Sequence, residues 1–226
     1  MKLSNKILLG FFGLIFLYLN AAFIEIRLTG SPNIINDKNS ITEKVDFNDI
    51  THLALNGLEK TVRVIGSDRP MLEVRSIKGD LLKKLKYVVS GDTLTLTGID
   101  ADDNRNFIVT VFVPIASFKS IHVNNSVVNF KDLQIPHLSI YQSKGRIAMN
   151  DCRIGTLALD VNTAFLNITD TSADTVSVNI ETSTVNIYSS LIRLQGSIKN
   201  QTFLHIRDAQ EIQLRKDESS NLVMYK

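Results

Sequence analysis

The chain has one cysteine, Cys152, so no disulfide can close within it. It has no tryptophan. It lacks an excess of one charge: 25 Lys and Arg face 23 Asp and Glu, a formal net charge of +2. That leaves no field to steer it onto nucleic acid or acidic polymers. The basic clusters Lys83-Lys84 and Arg215-Lys216 are too short to track a phosphate backbone. The four histidines, His52, His122, His137 and His205, show no metal-ligand spacing. Beyond the N-terminus, no ten-residue stretch carries a helical pattern.

What is present begins with that N-terminus. Lys2 and Lys6 precede ILLGFFGLIFLYLNAAFI, residues 7–24, an uncharged run. A membrane anchor needs about 17–25 apolar residues, and a cleaved signal has an apolar region of about 7–15. The run fits the first length, and small residues are poorly placed for cleavage after Ala21 or Ala22. Residues 1–28 are therefore read as a membrane anchor, through Ile7, Phe12, Leu17 and Phe23, or as a signal peptide. The positive residues put the N-terminus inside and the remainder outside the cytoplasm. No cysteine follows the run, so there is no lipid-attachment site. Residues 29–44, rich in Gly, Pro, Asn and Ser, read as a linker. The head domain is expected over 45–226.

From Phe118 onward the chain falls into lines of nineteen residues. LALDVNTAFLNI (157–168) is followed nineteen residues later by VSVNIETSTVNI (176–187). One column holds Val128, Ile147, Leu166, Val185, Leu204 and Val223; another holds Phe130, Met149, Ile168, Ile187, Ile206 and Tyr225. Apolar and polar residues alternate, as in strands with one buried face. A fixed recurrence stacks each strand on its equivalent in the next line. The fold class is all-β: a right-handed, single-chain parallel β-solenoid with one coil per nineteen residues over 118–226. Regularity decays in the fifth line, where Gln195, Ser197 and Lys199 stand in the columns of Leu157, Leu159 and Val161. Arg215, Lys216, Asp217 and Glu218 in the last line would blunt an open sheet edge.

Residues 45–117 hold six irregular strand-like runs, THLALNG, KTVRVIG, MLEVRSI, LKYVVSG, TLTLTG and FIVTVFVP, that start and cap the stack. SGDT (90–93) reads as a hairpin turn and GSDRP (66–70) as another turn, and GDLLKKLK (79–86) is consistent with a short helix. The succession of these runs with VPIASFKSIHV (113–123) resembles the head GIN domain family, over about residues 46–226. The resemblance implies an all-β, right-handed β-helix of the cell envelope, of the kind labelled auto-transporter adhesins, with no established activity. The chain departs from the pattern at Asn124-Asn125-Ser126, where the family often has a Gly-Ser-Gly-like turn.

Among possible sites, the column Asp132, Asp151, Asp170 and Asp208 follows the apolar pair. Carboxylates one coil apart, about 5 Å, match the separation used by retaining glycosidases and could hold Ca²⁺. Alternatively each Asp ends its strand by bonding its own backbone in a turn, which is the favoured reading. The loop IDADDNRN (99–106) opens like a calcium site, but Arg105 and Val111 occupy the positions that need Gly and Glu. Cys152 lies among small neighbours in its column and reads as a packed thiol. Tyr141 and Tyr188 point outward and could stack on sugars. No catalytic residue and no cofactor is assigned.

The expected function is non-catalytic: binding, adhesion or scaffolding at the cell envelope. The expected partners are the membrane through the N-terminal helix and an envelope glycan or protein, with no nucleic acid. The alternatives are a carbohydrate-active enzyme or calcium module using Asp132, Asp151 and Asp170, and a purely structural spacer.

Overall fold

The computed structural model describes residues 3–29, 40–58, 60–77, 79–99 and 107–225, with the side chains of the N-terminal helix described from Gly10 to Glu25. The chain divides into two units, Met1–Lys38 and Asn39–Lys226.

In the first unit, helix α1 (Leu3–Thr29) forms from a stretch rich in Leu, Ile, Phe and Ala with no proline. Its apolar side chains are exposed on every side, Phe12 at 59%, Leu17 at 67% and Phe23 at 69%. Ile7 lies outside the described side chains. Among the described residues, no helix is long and apolar enough to cross a membrane. Phe12, Leu17 and Phe23, expected to anchor the chain in a membrane, all lie along this helix.

In the second unit the strands are β1 (Ile41–Asp46), β2 (His52–Asn56), β3 (Thr61–Ser67), β4 (Met71–Ser76), β5 (Leu85–Ser90), β6 (Thr93–Ile99), β7 (Phe107–Pro114), β8 (Ser120–Lys131), β9 (Gln134–Asn150), β10 (Arg153–Asn162), β11 (Phe165–Thr169), β12 (Ser172–Glu181), β13 (Thr184–Lys199), β14 (Phe203–Lys216) and β15 (Asn221–Met224). β1 opens inside the stretch read as linker. From β8 onward every pairing is parallel, giving a β-solenoid of about six coils with about nineteen residues in each. On one face β8, β9, β10, β12, β13 and β14 stack in that order. On a second face β11 lies between parts of β9 and β13.

Alternation explains the core. Along β10, Leu157, Leu159 and Val161 point inward and are at most 2% exposed, while Asp160 between them is exposed. On the second face Leu166 and Ile168 do the same. Each such side chain packs on its equivalents one coil above and below. Truncating one to alanine would cost about 2–5 kcal/mol, because a rigid stack cannot close the cavity.

The coil is not a constant nineteen residues. Asp160 pairs with Asn179, nineteen on, but Asn179 pairs with Ser197, eighteen on. Between β13 and β14 the offset changes from nineteen at Ile187–Ile206 to eighteen at Ser190–Asp208, through a bulge. The expected decay of regularity is therefore corrected. Leu194, Gly196 and Ile198 take the columns of Val176, Val178 and Ile180, and Gln195 and Ser197 point outward with Ser177 and Asn179. Likewise Leu222 and Met224, rather than Val223 and Tyr225, pair with Leu204 and Ile206.

The N-terminal strands build two further layers, stacked out of chain order. β2 pairs in parallel with β8 on one side and β6 on the other. β3 lies in the same way between β8 and β7. The coil laid down first is thus second in the stack, and the excursion between β3 and β8 supplies the outer layer. β1, β4 and β5 then join antiparallel and end the stack. Ser90 pairs with Thr93 across the expected hairpin, with Gly91 at φ 60°. The expected helix over 79–86 is a single turn, in which the Leu85 N–H bonds Leu81 O at 3.0 Å before β5 begins. Leu81 and Leu85 are both buried, and the strand they lead into wins over helical propensity.

Candidate functional site

The coils turn at two kinds of corner, and the aspartate column lies on the first of them. Asp132, Asp151 and Asp170 have φ of 54°, 54° and 48°. Asp and Asn tolerate this left-handed region better than most residues, since their short side chains can bond locally. Each ends a strand, stands exposed, and is followed by a buried residue: Leu133, Cys152 or Thr171. The column is thus the outer rim of a turn. Asp208 leaves it, pairing with Ser190 after the bulge. Among the described residues no three His, Cys, Asp or Glu side chains gather as a metal site. The loop 100–106, with its calcium-like opening, lies outside the described residues.

The second corner repeats the same backbone at Asn125, Lys144, Thr163, Thr182 and Gln201, all with φ between 47° and 66°. Asn125 supplies the turn where the resembled family has a glycine-rich one. Behind both corners buried hydroxyls link coil to coil. Ser183 Oγ accepts the Ala164 N–H at 3.1 Å and donates to Glu181 O at 2.6 Å. Ser126 and Ser220 accept from Leu58 and Thr202 in the same manner. At the first corner Thr171 Oγ1 accepts from Cys152 N, and Ser189 Oγ from Thr171 N. Cys152 occupies one slot of this ladder, its Sγ 3.2 Å from Asn150 O, and burial pushes its thiol pKa up. A buried thiol held in its protonated form is a poor nucleophile, as its column neighbours suggested.

The concave surface lies elsewhere, on the face of β9, β10, β12, β13 and β14. Outward positions there form a trough of about 880 Å³. One row is Ser139, Ala158, Ser177, Gln195 and Gln213; the other is Tyr141, Asp160, Asn179, Ser197 and Arg215. Small residues begin the first row, so the floor is low. Gln195 Nε2 donates to Ser177 Oγ at 3.0 Å and Ser197 Oγ to Asn179 Oδ1 at 3.3 Å, which orders the amides across coils. One carboxylate and one guanidinium balance each other in sign. Tyr141 is 43% exposed and stacks on His122, with ring centroids 4.4 Å apart and planes 10° from parallel. That spacing is close to the roughly 4.8 Å between strands, so the rings lie one above the other along the stack.

Through Ser139 and Tyr141 the trough continues into a second hollow of about 660 Å³ beside His52, Ser120 and His122. There His52 Nδ1 lies 2.6 Å from Ser120 Oγ, and His52 Nε2 3.7 Å from Asp92 Oδ2. The order Ser–His–Asp resembles a hydrolytic triad, but its geometry fails. The His–Asp separation is beyond hydrogen-bond length, and Ser120 is 5% exposed inside a strand paired on both sides. Asp92 instead accepts the Thr51 hydroxyl at 2.5 Å, which holds its carboxyl below the usual range. The group pins the edge of the coil rather than activating a nucleophile.

Of the residues picked from sequence, only Tyr141 lines the trough. Tyr188 lies on the other face, near Tyr225. Asp160 and Asn179 were missed, and Gln195 and Arg215 were read as a lost core position and an edge charge. Their row was open to inspection as far as Asn179, but a strict nineteen-residue spacing leads from there to Ile198 instead of Ser197.

No protein-family model matches the chain, and no curated protein matches it in sequence. Solved structures match it in fold. A proposed adhesin from Bacteroides fragilis superposes with a TM-score of 0.53 at 13% identity, over 83% of this chain and 98% of that one. A proposed adhesin from Parabacteroides distasonis gives 0.54 at 12% identity, over 84% and 98%. At these identities the similarity establishes a shared fold.

Proposed function

We propose that the chain is a non-catalytic adhesin-type domain of the cell envelope or surface, of the head GIN kind, and that the trough on the face of β9–β14 is its working surface. One observation carries the reading: the concave part of the head is an open, charge-balanced trough across five coils whose outward side chains are mostly amides and hydroxyls. The adhesin descriptions of the fold neighbours and the resemblance of residues 46–226 support the same class. The N-terminal helix is the export segment, since apolar side chains on all its sides call for an apolar surrounding. Fractionation with N-terminal sequencing of the mature chain tests the location: the head belongs outside the cytoplasm, and a cytoplasmic pool of full-length protein would oppose the reading. Attachment of cells with and without the chain to a coated surface tests the role. Loss of attachment on deletion is expected, and unchanged attachment contradicts it.

A further inference from the structure

The geometry points to an extended, neutral oligosaccharide as the ligand of this trough, lying across the strands with one sugar unit per coil and its terminal ring against Tyr141. The inference rests on the adhesin reading of the same face.

Shape argues first. From β9 to β14 the trough crosses five strands, about 19 Å at roughly 4.8 Å each. Its occupant must be long, and its repeat should match the strand spacing. An extended pyranose chain advances by about one ring length per unit, close to that spacing. A peptide strand advances about 3.3 Å per residue and falls out of step. A peptide also binds sheets through an open edge, whereas β10, β12 and β13 are hydrogen-bonded on both sides.

Chemistry argues the same way. The outward rows offer a carboxylate, three serine hydroxyls and three amides, donors and acceptors suited to sugar hydroxyls. The Gln195 and Asn179 amides are already ordered by Ser177 and Ser197, so little side-chain entropy is lost on binding. A polyanion needs a run of cations; Arg215 is the only one lining the trough, and Asp160 balances it. An acyl chain needs a continuous apolar strip; among the outward side chains only Ala158 is aliphatic, and the half-buried Ile212 and Leu214 line one end of the trough alone. Tyr141 supplies the stacking surface. His122 covers one side of its ring, and the other side is turned toward the coil of Asp160. The terminal sugar would set a C–H edge against the open face of Tyr141, with the Asp160 carboxylate within reach of its hydroxyls.

The test is calorimetric titration of the full chain, in detergent, with neutral hexasaccharides of the cellulose, laminarin, mannan and chitin series, and with polygalacturonate as an anionic comparison. Saturable binding of a neutral hexasaccharide is expected, changing little between low and high salt. Tyr141→Ala and Asn179→Leu should each weaken it about tenfold or more, with unaltered thermal melting. Binding of none of the four, binding indifferent to both variants, or preference for polygalacturonate overturns the proposal. The adhesin reading is judged separately, by attachment of cells carrying the chain. Attachment that persists without any neutral-glycan binding leaves that reading standing and makes the partner another molecule; absent attachment sinks both.

Discussion

Gly196 shows how close the coils come at a single residue. Its φ is 129°, and a Cβ there would sit 1.9 Å from Val178 O and 2.9 Å from Val178 N. No side chain can yield, because the obstacle is backbone of the neighbouring coil. Gly196→Ala should destabilise the fold by more than about 3 kcal/mol, combining the conformational cost with displacement of a strand. Gly57 has φ 67° and open space around its Cβ position, so Gly57→Ala should cost only about 1–2 kcal/mol. Urea unfolding of both variants checks the contrast, and equal losses would refute it. Cys152 makes a second residue-scale case. Its slot is filled by Thr171 and Ser189 in the next two coils, so Cys152→Ser should change stability by less than about 1 kcal/mol. The native thiol should react with an aromatic disulfide reagent only on unfolding. Rapid labelling of the folded protein would mean that the corner opens.

At the scale of elements, the corner between β13 and β14 depends on a carboxylate of the next coil. Asp217 takes hydrogen bonds from the Ser220 side chain and the Asn200 N–H, which lower its pKa to about 2. Asn200 and Gln201 are both left-handed, with φ of 57° and 59°, so this turn needs outside support. A lowered folded-state pKa gives stability that is present above the unfolded value of 3.8 and lost as pH falls toward about 2. The melting-temperature gap between the native chain and Asp217→Asn should be constant above pH 5 and shrink toward pH 2. A gap unchanged at pH 2 would show that the carboxylate charge plays no part. Strand identity was legible because Leu157, Leu159 and Val161 alternate with polar residues at period two. The shift from nineteen residues to eighteen was not, since it is made by Ser189 and Ser190, small polar residues that fit a corner in either register. Gln195 therefore looked like a failed core position and is an outward one.

On the scale of the whole molecule, the parallel stack was legible from its repeat, and the order of its first layers was not. β2 and β3 form the second layer, while β6 and β7, later in the chain, form the outer one. Nothing local in THLALNG or TLTLTG encodes that order; it follows from which apolar row fits beneath Ile121 and Phe130. The candidate site was hidden for a related reason. A trough built from one outward residue per coil has no contiguous motif, and its members become neighbours only when the register of every coil is known. The same architecture separates the two faces cleanly, which gives the most direct test that the first face is the working one. Ser177→Trp fills the trough, and Asn167→Trp places the same bulk outward on the second face, as a control. Attachment should be lost in cells carrying Ser177→Trp and kept in those carrying Asn167→Trp, with both proteins folded by circular dichroism. Attachment kept with Ser177→Trp, or lost equally with both, would contradict the assignment of function to the trough.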